Sequence, residues 1–303
     1  MLCSIQDTLK IDLPAKHQDI VTAYNTEWDR TNGQGWELKN FIELTKDRKS
    51  LYDVGGNIGF FSLVFCLNNN GDNKKRAYCF EPSPFGLSTA VEILDHNDWF
   101  DRIKLFPLFV GDKEDNVEIL MEDTKTFVAL FEKTDEYHGI IDRGGRAAGT
   151  MVSLDNFTWL AEMGADEEKY GLDLIFEDER KAAHHNYPGL KEEFEVDTLK
   201  IDVEGYEYKV LQGARDTIKK YRPLMFLEIH AHLLKLYSAE IMDVWKILKE
   251  YKYRMYDIHN KEVTTEEQYR KLFSVDSIDD IRVAKQIGVP SGPAQARVIC
   301  KGD

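Results

Sequence analysis

Short apolar runs alternate with longer segments of helical spacing along most of the chain. The short runs are rich in β-branched and aromatic residues and predict strands over 51–54, 77–80, 103–110, 198–201, 224–229, 254–258 and 296–300. Apolar residues recur at helical intervals over 60–67, 206–221 and 240–251, which predicts helices. This alternation is typical of βαβ units around a parallel sheet, so we predict an α/β fold.

Two segments depart from this alternation. Residues 18–46 have helical spacing with a break at TNGQG, and we expect residues 1–48 to form an N-terminal helical cap on a catalytic domain of residues 49–303. Residues 160–197 hold 12 acidic and 4 basic residues and interrupt the pattern just before the fourth predicted strand. This acidic insertion is either a solvated loop or a lid, since long loops in compact domains are often functional.

Composition narrows the class of protein. With 43% hydrophobic and 12% aromatic residues among 303, the chain can bury a sizeable core. Its net charge of -15 disfavours nucleic acid and anionic lipid as partners. No apolar run reaches membrane-spanning length and no leader pattern opens the chain, so we expect a cytoplasmic protein. The scattered cysteines, Cys3, Cys66, Cys79 and Cys300, are expected to be reduced thiols.

A cluster of glycines follows the first predicted strand. In LYDVGGNIGFFSL, Gly55, Gly56 and Gly59 surround Asn57, and a helix follows at once. Glycines allow a sharp turn and a close approach of a ligand to the backbone, and the helix N-terminus offers unpaired amides. A plain turn would need only one glycine. The spacing is not that of G-x-G-x-x-G, and no Walker lysine follows, so the usual dinucleotide and phosphate loops are disfavoured.

Acidic residues end the next two predicted strands. Glu81 and Pro82 stand at the end of YCFEPSP, where an acidic side chain can accept both ribose hydroxyls of an adenosine ligand. Asp112 follows the third strand in FVGD, near the expected position of an adenine amino group. An acid rather than an arginine indicates a ribose without a phosphate. S-adenosylmethionine and NAD both satisfy this pattern.

Five motifs together resemble the FkbM-type family of S-adenosylmethionine-dependent methyltransferases. They are DVGGNIGFFSL, FEPSP, VSLDNF, TLKIDVEGYEYKVLQGA and RPLMFLEIH, in the family's order over most of residues 51–230. KIDVEG followed by a helix containing VL-x-GA is the most specific of them. The resemblance implies a class I methyltransferase fold, with a seven-stranded Rossmann-like sheet whose last strand is antiparallel.

The same resemblance implies S-adenosylmethionine as cofactor and a hydroxyl oxygen as the methyl acceptor. Asp53, Gly55, Asn57 and Gly59 would line the methionine end, with Glu81 at the ribose and Asp112 at the adenine. Related enzymes act on polyketide, sugar and glycolipid hydroxyls. The family often has alanine in place of Gly56. The acidic insertion of this chain is longer than the resemblance leads us to expect, a departure that concerns the substrate and not the cofactor.

Candidate catalytic residues stand at the tips of the fourth and fifth predicted strands. Ligands of open α/β sheets bind at the carboxyl ends of the strands. The fourth strand offers Lys200, Asp202 and Glu204, and the fifth offers His230. An alcohol needs a base to remove its proton, and carboxylates and histidine are the usual choices. The alternative for Asp202 and Glu204 is capping of the helix that begins near Gly205.

Asp202, Glu228 and His230 are also candidate ligands of a divalent metal. Hard cations prefer several oxygen ligands, and the sequence does not show whether these three converge. A metal is therefore allowed but not favoured.

These observations predict an O-methyltransferase that uses S-adenosylmethionine and modifies a hydroxyl of a sugar, glycan or related metabolite. An NAD-dependent oxidoreductase would share the glycine turn and Glu81. A non-catalytic module that binds an adenosine ligand would keep those residues and tolerate loss of Asp202. The acceptor and the oligomeric state are left open.

Overall fold

The computed structural model describes residues 2–5, 9–17, 21, 34–69, 75–121, 128–130, 145–163, 195–273 and 295–302. Most of the acidic insertion, residues 164–194, lies outside this part of the chain. So do most of residues 18–33, where we predicted helical structure. The cap and insertion boundaries remain predictions.

The described residues form fourteen strands and nine α-helices. The strands are β1 (Leu2–Ile5), β2 (Leu9–Asp12), β3 (Ser50–Val54), β4 (Arg76–Phe80), β5 (Ile103–Phe106), β6 (Leu108–Gly111), β7 (Asp115–Met121), β8 (Val128–Leu130), β9 (Gly145–Ser153), β10 (Thr198–Ile201), β11 (Leu224–His230), β12 (Tyr253–Tyr256), β13 (Glu262–Val263) and β14 (Gln295–Gly302). The helices are α1 (Gln34–Leu44), α2 (Phe60–Leu67), α3 (Pro84–Asn97), α4 (Leu154–Met163), α5 (Glu207–Gln212), α6 (Arg215–Tyr221), α7 (Ala231–Leu234), α8 (Ile241–Glu250) and α9 (Glu266–Lys271).

The main sheet has the order β13-β12-β14-β11-β10-β3-β4-β5. Strands β5, β4, β3, β10 and β11 run parallel, and β14 is antiparallel to both neighbours, β11 and β12. The predicted α/β fold with an antiparallel last strand is confirmed, and its mixed sheet is class I methyltransferase-like. The predicted count of seven strands is wrong for the described chain, because β13 pairs with β12 and adds an eighth strand.

The third predicted strand and the second predicted helix are each divided in two. Residues 103–110 form β5 in the main sheet and β6 in a separate sheet of order β6-β9-β7-β8, with Pro107 between them. Proline has no amide hydrogen to give to a ladder, so a strand breaks there. Residues 206–221 form α5 and α6 on either side of Gly213. A Cβ on Gly213 would lie 1.9 Å from the carbonyl oxygen of Gly111, so the packing here requires glycine.

Two hydrophobic clusters cover the two faces of the main sheet. Successive strand residues point to opposite faces, so Leu51 belongs to one cluster and Tyr52 to the other. Helix α2 packs on the Leu51 face and α8 on the Tyr52 face. Because both faces are covered, the carboxyl edge of the parallel strands is where a ligand can enter.

The N-terminal segment is not wholly helical. Strands β1 and β2 form an antiparallel pair where we expected a helical cap, and α1 is the helix described there.

None of the described helices is long and apolar enough to cross a membrane. Cys66, Cys79 and Cys300 are free and buried, as expected of reduced thiols, and burial raises the pKa of Cys66 to about 12.

Candidate active site

A cavity opens at the carboxyl edge of the main sheet, beside β6. Its volume is about 830 Å³, including the part that is open to solvent. It is lined by Val54, Gly55, Asn57, Phe80, Glu81, Pro82, Ser83, Leu108, Phe109, Val110, Asp202, Val203, Glu204 and Tyr206. Sequence-predicted residues from three different strand ends therefore meet at one place.

Gly55 is required by the protein itself as well as by any ligand. Its φ is +77°, and a Cβ there would lie 1.8 Å from the carbonyl oxygen of Asp202. The amides of Gly55 and Gly56 both donate to the carbonyl of Phe80, at 2.9 and 3.1 Å. Gly55 and Asn57 line the cavity, whereas Gly56 and Gly59 are not among its described lining residues. The turn thus ties together the ends of β3, β4 and β10.

Asp53 contacts helix α2 rather than the cavity. Its Oδ2 accepts hydrogen bonds from the amide of Ser62 at 3.1 Å and from the Ser62 hydroxyl at 2.7 Å. Burial raises the pKa of Asp53, against the opposing charge of Lys200. Asp53 therefore fixes the direction in which α2 leaves the glycine turn.

Glu81 stands at the tip of β4 with both carboxylate oxygens facing backbone amides. Oε2 accepts from the amide of Asn57 at 2.8 Å, and Oε1 accepts from the amide of Ser83 at 2.7 Å. Each oxygen keeps a further lone pair for a ligand hydroxyl. Burial raises the pKa of Glu81 to about 7.

Asp112 does not line the cavity. Its Oδ2 lies 2.8 Å from Nζ of Lys209, in an ion pair between the end of β6 and helix α5. Apolar side chains of Leu108, Phe109 and Val110 line the cavity on this side instead. Phe109 is a site residue that sequence reasoning missed, because nothing in its pattern distinguishes it from a core strand residue.

The tips of β10 and β11 bring together the predicted catalytic residues. The parallel register pairs Ile201 with Leu227, which places Asp202 beside Glu228 and Glu204 beside His230. Glu228 and His230 are alternate residues of β11 and share one face, and the distance of 3.2 Å between Nε2 of His230 and Oε2 of Glu204 brings Glu204 to the same side. Ligand atoms of Asp202, Glu228 and His230 all lie within 4.8 Å of one another. Asp202, Glu228 and His230 therefore do converge, which the sequence could not show.

His230 lies between two glutamates. Its Nε2 is 3.2 Å from Oε2 of Glu204, and its Nδ1 is 2.7 Å from Oε1 of Glu207. Burial lowers the pKa of His230, but the hydrogen bond to Glu207 and the charge of Glu204 outweigh burial and raise it to about 10. Burial also raises the pKa of Glu204 to about 7. Glu204 has a φ of +50°, a strained conformation that is concentrated at functional sites.

A buried ring of charges supports Asp202 and Glu228 from the core side. Nζ of Lys200 is 3.2 Å from Asp202, and Arg297 bridges Glu228 at 2.6 Å and Glu37 at 2.9 Å. Burial raises the pKa of Asp202, but Lys200 and His230 outweigh burial and lower it. Lys200 is buried and does not line the cavity, so it positions Asp202.

A known protein family matches the part of the chain that contains β10 and β11. Residues 186–255 match the family model of the methyltransferase FkbM domain. The predicted resemblance to the FkbM family is confirmed. This FkbM-type segment contains Asp202, Glu204, Glu228 and His230, whereas the glycine turn and Glu81 lie before it. No curated protein sequence matches the chain significantly.

Solved structures of methyltransferases resemble the chain at low identity. Methyltransferase FkbM from Methylobacillus flagellatus KT is 18% identical with a TM-score of 0.40, covering 69% of this chain and 39% of that one. The StiE O-MT structure is 10% identical with a TM-score of 0.42, covering 100% and 86%. SAH-bound PaMTH1 from Podospora anserina is 12% identical with a TM-score of 0.33, covering 97% and 98%. This chain therefore spans well under half of the M. flagellatus protein, and its fold assignment rests on the strand order.

Three further residues of the candidate site were missed from the sequence. Glu207 holds His230, and Arg297 with Glu37 holds Glu228. Glu37 lies on α1 and Arg297 on β14, far from the motif in the chain. Glu207 stands in DVEGYE together with Asp202 and Glu204, and this position was the signal that could have identified it.

Proposed function

We propose that this protein is an S-adenosylmethionine-dependent O-methyltransferase that acts on a hydroxyl of a sugar, glycan or related metabolite. One observation carries the proposal: the cavity is lined by Glu81 from the tip of β4 and by Asp202 and Glu204 from beyond β10, on opposite sides of β3, and no Lys or Arg is among its described lining residues. A ligand with ribose hydroxyls at one end and positive charge at the other fits this arrangement. S-adenosylmethionine has a ribose, a sulfonium and an ammonium group.

The charge of the cavity disfavours NAD. A dinucleotide places a pyrophosphate between its two ribose groups, and an acidic cavity without a basic lining residue repels it. The glycine turn also lacks the G-x-G-x-x-G spacing that packs against a pyrophosphate. The oxidoreductase alternative is therefore the weaker one.

The residues that line the cavity are suited to the transfer of a methyl group by nucleophilic displacement. When bound, S-adenosylmethionine supplies an electrophilic methyl group, whose transfer to the acceptor oxygen breaks the carbon–sulfur bond and leaves S-adenosylhomocysteine. Much of the catalysis then comes from holding the acceptor oxygen in line. Glu204 lines the cavity with one carboxylate oxygen near His230, and we assign it as the group that accepts the hydroxyl proton. Asp202 would face the positive charge of the cofactor.

The sugar or glycan acceptor is supported by the FkbM resemblance. Related enzymes methylate hydroxyls of sugars, glycolipids and polyketides. The choice of acceptor class therefore rests on this resemblance.

Calorimetric titration with S-adenosylhomocysteine and, in parallel, with NAD tests the cofactor. We expect micromolar binding of S-adenosylhomocysteine, with affinity at least about tenfold lower in Glu81→Ala, because the variant loses the ribose contacts and the bonds to Asn57 and Ser83. Glu92→Gln, which changes an exposed glutamate, is the matched control and should bind as the wild type does. Binding of NAD in preference to S-adenosylhomocysteine would disprove the proposal.

Glu204→Gln separates an enzyme from a non-catalytic module. We expect this variant to retain S-adenosylhomocysteine affinity within about threefold and to lose about 10²-fold or more in kcat with a hydroxyl acceptor. A panel of sugar acceptors with radiolabelled S-adenosylmethionine measures this. Unchanged turnover would remove Glu204 from the mechanism.

Cofactor affinity should rise with pH through the titration of Glu81. Its pKa of about 7 means that a ligand hydroxyl, which donates to the ionised form, competes with a proton. Binding therefore releases a proton, and we expect S-adenosylhomocysteine affinity to increase about tenfold from pH 6 to pH 8. Glu81→Gln, which cannot ionise, should lose most of this pH dependence. An identical slope in Glu81→Gln would argue against this role.

A further inference from the structure

Acidic residues and a histidine meet at the ends of β10 and β11. The proposed methyl transfer gives roles to Asp202 and Glu204 but no direct role to Glu228 or His230. Asp202 and Glu204 follow β10, and Glu228 and His230 end β11. Because the register sets Ile201 beside Leu227, one atom from each of Asp202, Glu228 and His230 lies within 4.8 Å of the other two. Three ligand atoms at this separation can surround one small cation.

The orientation of His230 is that of a metal-binding imidazole. Nδ1 lies 2.7 Å from Oε1 of Glu207, whose side chain is fully buried, and the same oxygen accepts from the amide of Gly205 at 2.9 Å. Metal-ligating histidines commonly donate their second ring nitrogen to a carboxylate in this way. Nε2 is thereby directed at the carboxylates, 3.2 Å from Glu204 and 3.8 Å from Glu228.

Carboxyl groups outnumber basic groups around this point. Lys200, Arg297 and His230 face the five carboxyl groups of Glu37, Asp202, Glu204, Glu207 and Glu228, and burial raises the pKa of Glu204 to about 7 and that of Glu228 to about 8. Burying unbalanced charge is costly, and a bound cation relieves the cost. Lys200 and Arg297 contact Asp202 and Glu228, and a carboxylate has lone pairs left for a second cation.

We propose that Asp202, Glu228 and His230 bind a divalent cation of the Mg²⁺ or Mn²⁺ class at the wall of the cavity. Carboxylate ligands favour these hard ions. Asp202 and Glu204 line the cavity, so the ion is placed to orient an acceptor hydroxyl beside Glu204. This role rests on the proposed function, whereas the site itself does not. Metal binding requires neutral imidazole, so the ion replaces the proton on Nε2.

Titration of the whole purified protein with Mn²⁺, followed by electron paramagnetic resonance without cofactor or acceptor, tests the site. Salt at 0.15 M screens the general attraction of a protein with net charge -15. We expect one site with submillimolar affinity and an electron spin echo modulation from an imidazole nitrogen. His230→Gln should lose that modulation and weaken binding at least about tenfold.

His17→Gln is the matched control, because His17 lies 3.0 Å from Glu92 in a histidine–glutamate pair near the surface. It should leave both the affinity and the nitrogen modulation unchanged. Failure of Mn²⁺ to bind, bound Mn²⁺ without nitrogen modulation in the wild type, or equal affinity in His230→Gln would each overturn the site. If His230→Gln does not fold, Asp202→Asn and the wild-type spectrum decide the question.

Calorimetry with S-adenosylhomocysteine on the same samples separates the two proposals. Cofactor binding without Mn²⁺ binding would remove the metal site and keep the methyltransferase. Mn²⁺ binding without cofactor binding would support the metal site and remove the role that we give it in methyl transfer.

Discussion

Gly55→Ala is expected to abolish cofactor binding and to lower the free energy of unfolding by more than about 3 kcal/mol. The new Cβ would lie 1.8 Å from the carbonyl oxygen of Asp202, which is backbone and has no rotamer by which to move away. The φ of +77° adds strain for any residue with a side chain. Relief of the clash would separate the ends of β3 and β10, which form the cavity. Urea denaturation and S-adenosylhomocysteine calorimetry measure the two effects.

Gly59→Ala is the matched control for this prediction. Gly59 has a similar φ of +72°, but a Cβ there would meet only the Cβ of Ala90, at 3.6 Å, which is ordinary contact. We expect a cost of about 1–2 kcal/mol from the backbone conformation and retained cofactor binding. Equal effects in the two variants would mean that the left-handed conformation matters and the contact with the β10 loop does not.

Arg297→Met is expected to destabilise the fold by about 3–5 kcal/mol, because it leaves Glu37 and Glu228 buried without their shared cation. The Arg297 side chain is only 6% exposed, so water does not replace the lost hydrogen bonds. Chemical denaturation at pH 7.5 checks the expected value.

Lys220→Met is the control, since its ion pair with Glu162 is largely exposed and its loss should lower the free energy of unfolding far less than Arg297→Met does. Adding Glu37→Gln and Glu228→Gln to Arg297→Met should recover part of the loss, because the uncompensated charges are then removed. If Arg297→Met lowers the free energy of unfolding no more than Lys220→Met does, water must reach the buried ring of charges.

The local pattern of the chain was sufficient for most of the main sheet. Alternating apolar runs predicted the parallel strands within one or two residues, and helix α2 over its full length. The errors occurred where a single residue changes the path of the chain. Pro107 divides one apolar run between two sheets, and Gly213 divides one helical segment because Gly111 packs against it.

Much of the candidate site was also predicted from the sequence, because its residues stand at the ends of predicted strands. Glu81 and Asp202 follow apolar strands directly, Glu204 is two residues beyond Asp202, and His230 ends β11. The carboxyl ends of these parallel strands meet at one edge. That rule does not tell which side chain enters the cavity. Asp53 turns to α2 and Asp112 to Lys209, since each has a closer hydrogen-bond partner within the protein.

Local sequence was sufficient to predict the α/β fold class, the glycine turn, the acid at the tip of β4 and the resemblance to the FkbM family, because these features depend on neighbours within a few residues. The convergence of Glu228 and His230 on Asp202, and the contacts that Glu37 and Arg297 make around them, are seen only in the tertiary structure. Those contacts join residues from α1, β10, β11 and β14, and they depend on strand register and on the burial of charge. Neither quantity can be read from a linear pattern, since each is set by packing among elements far apart in the chain.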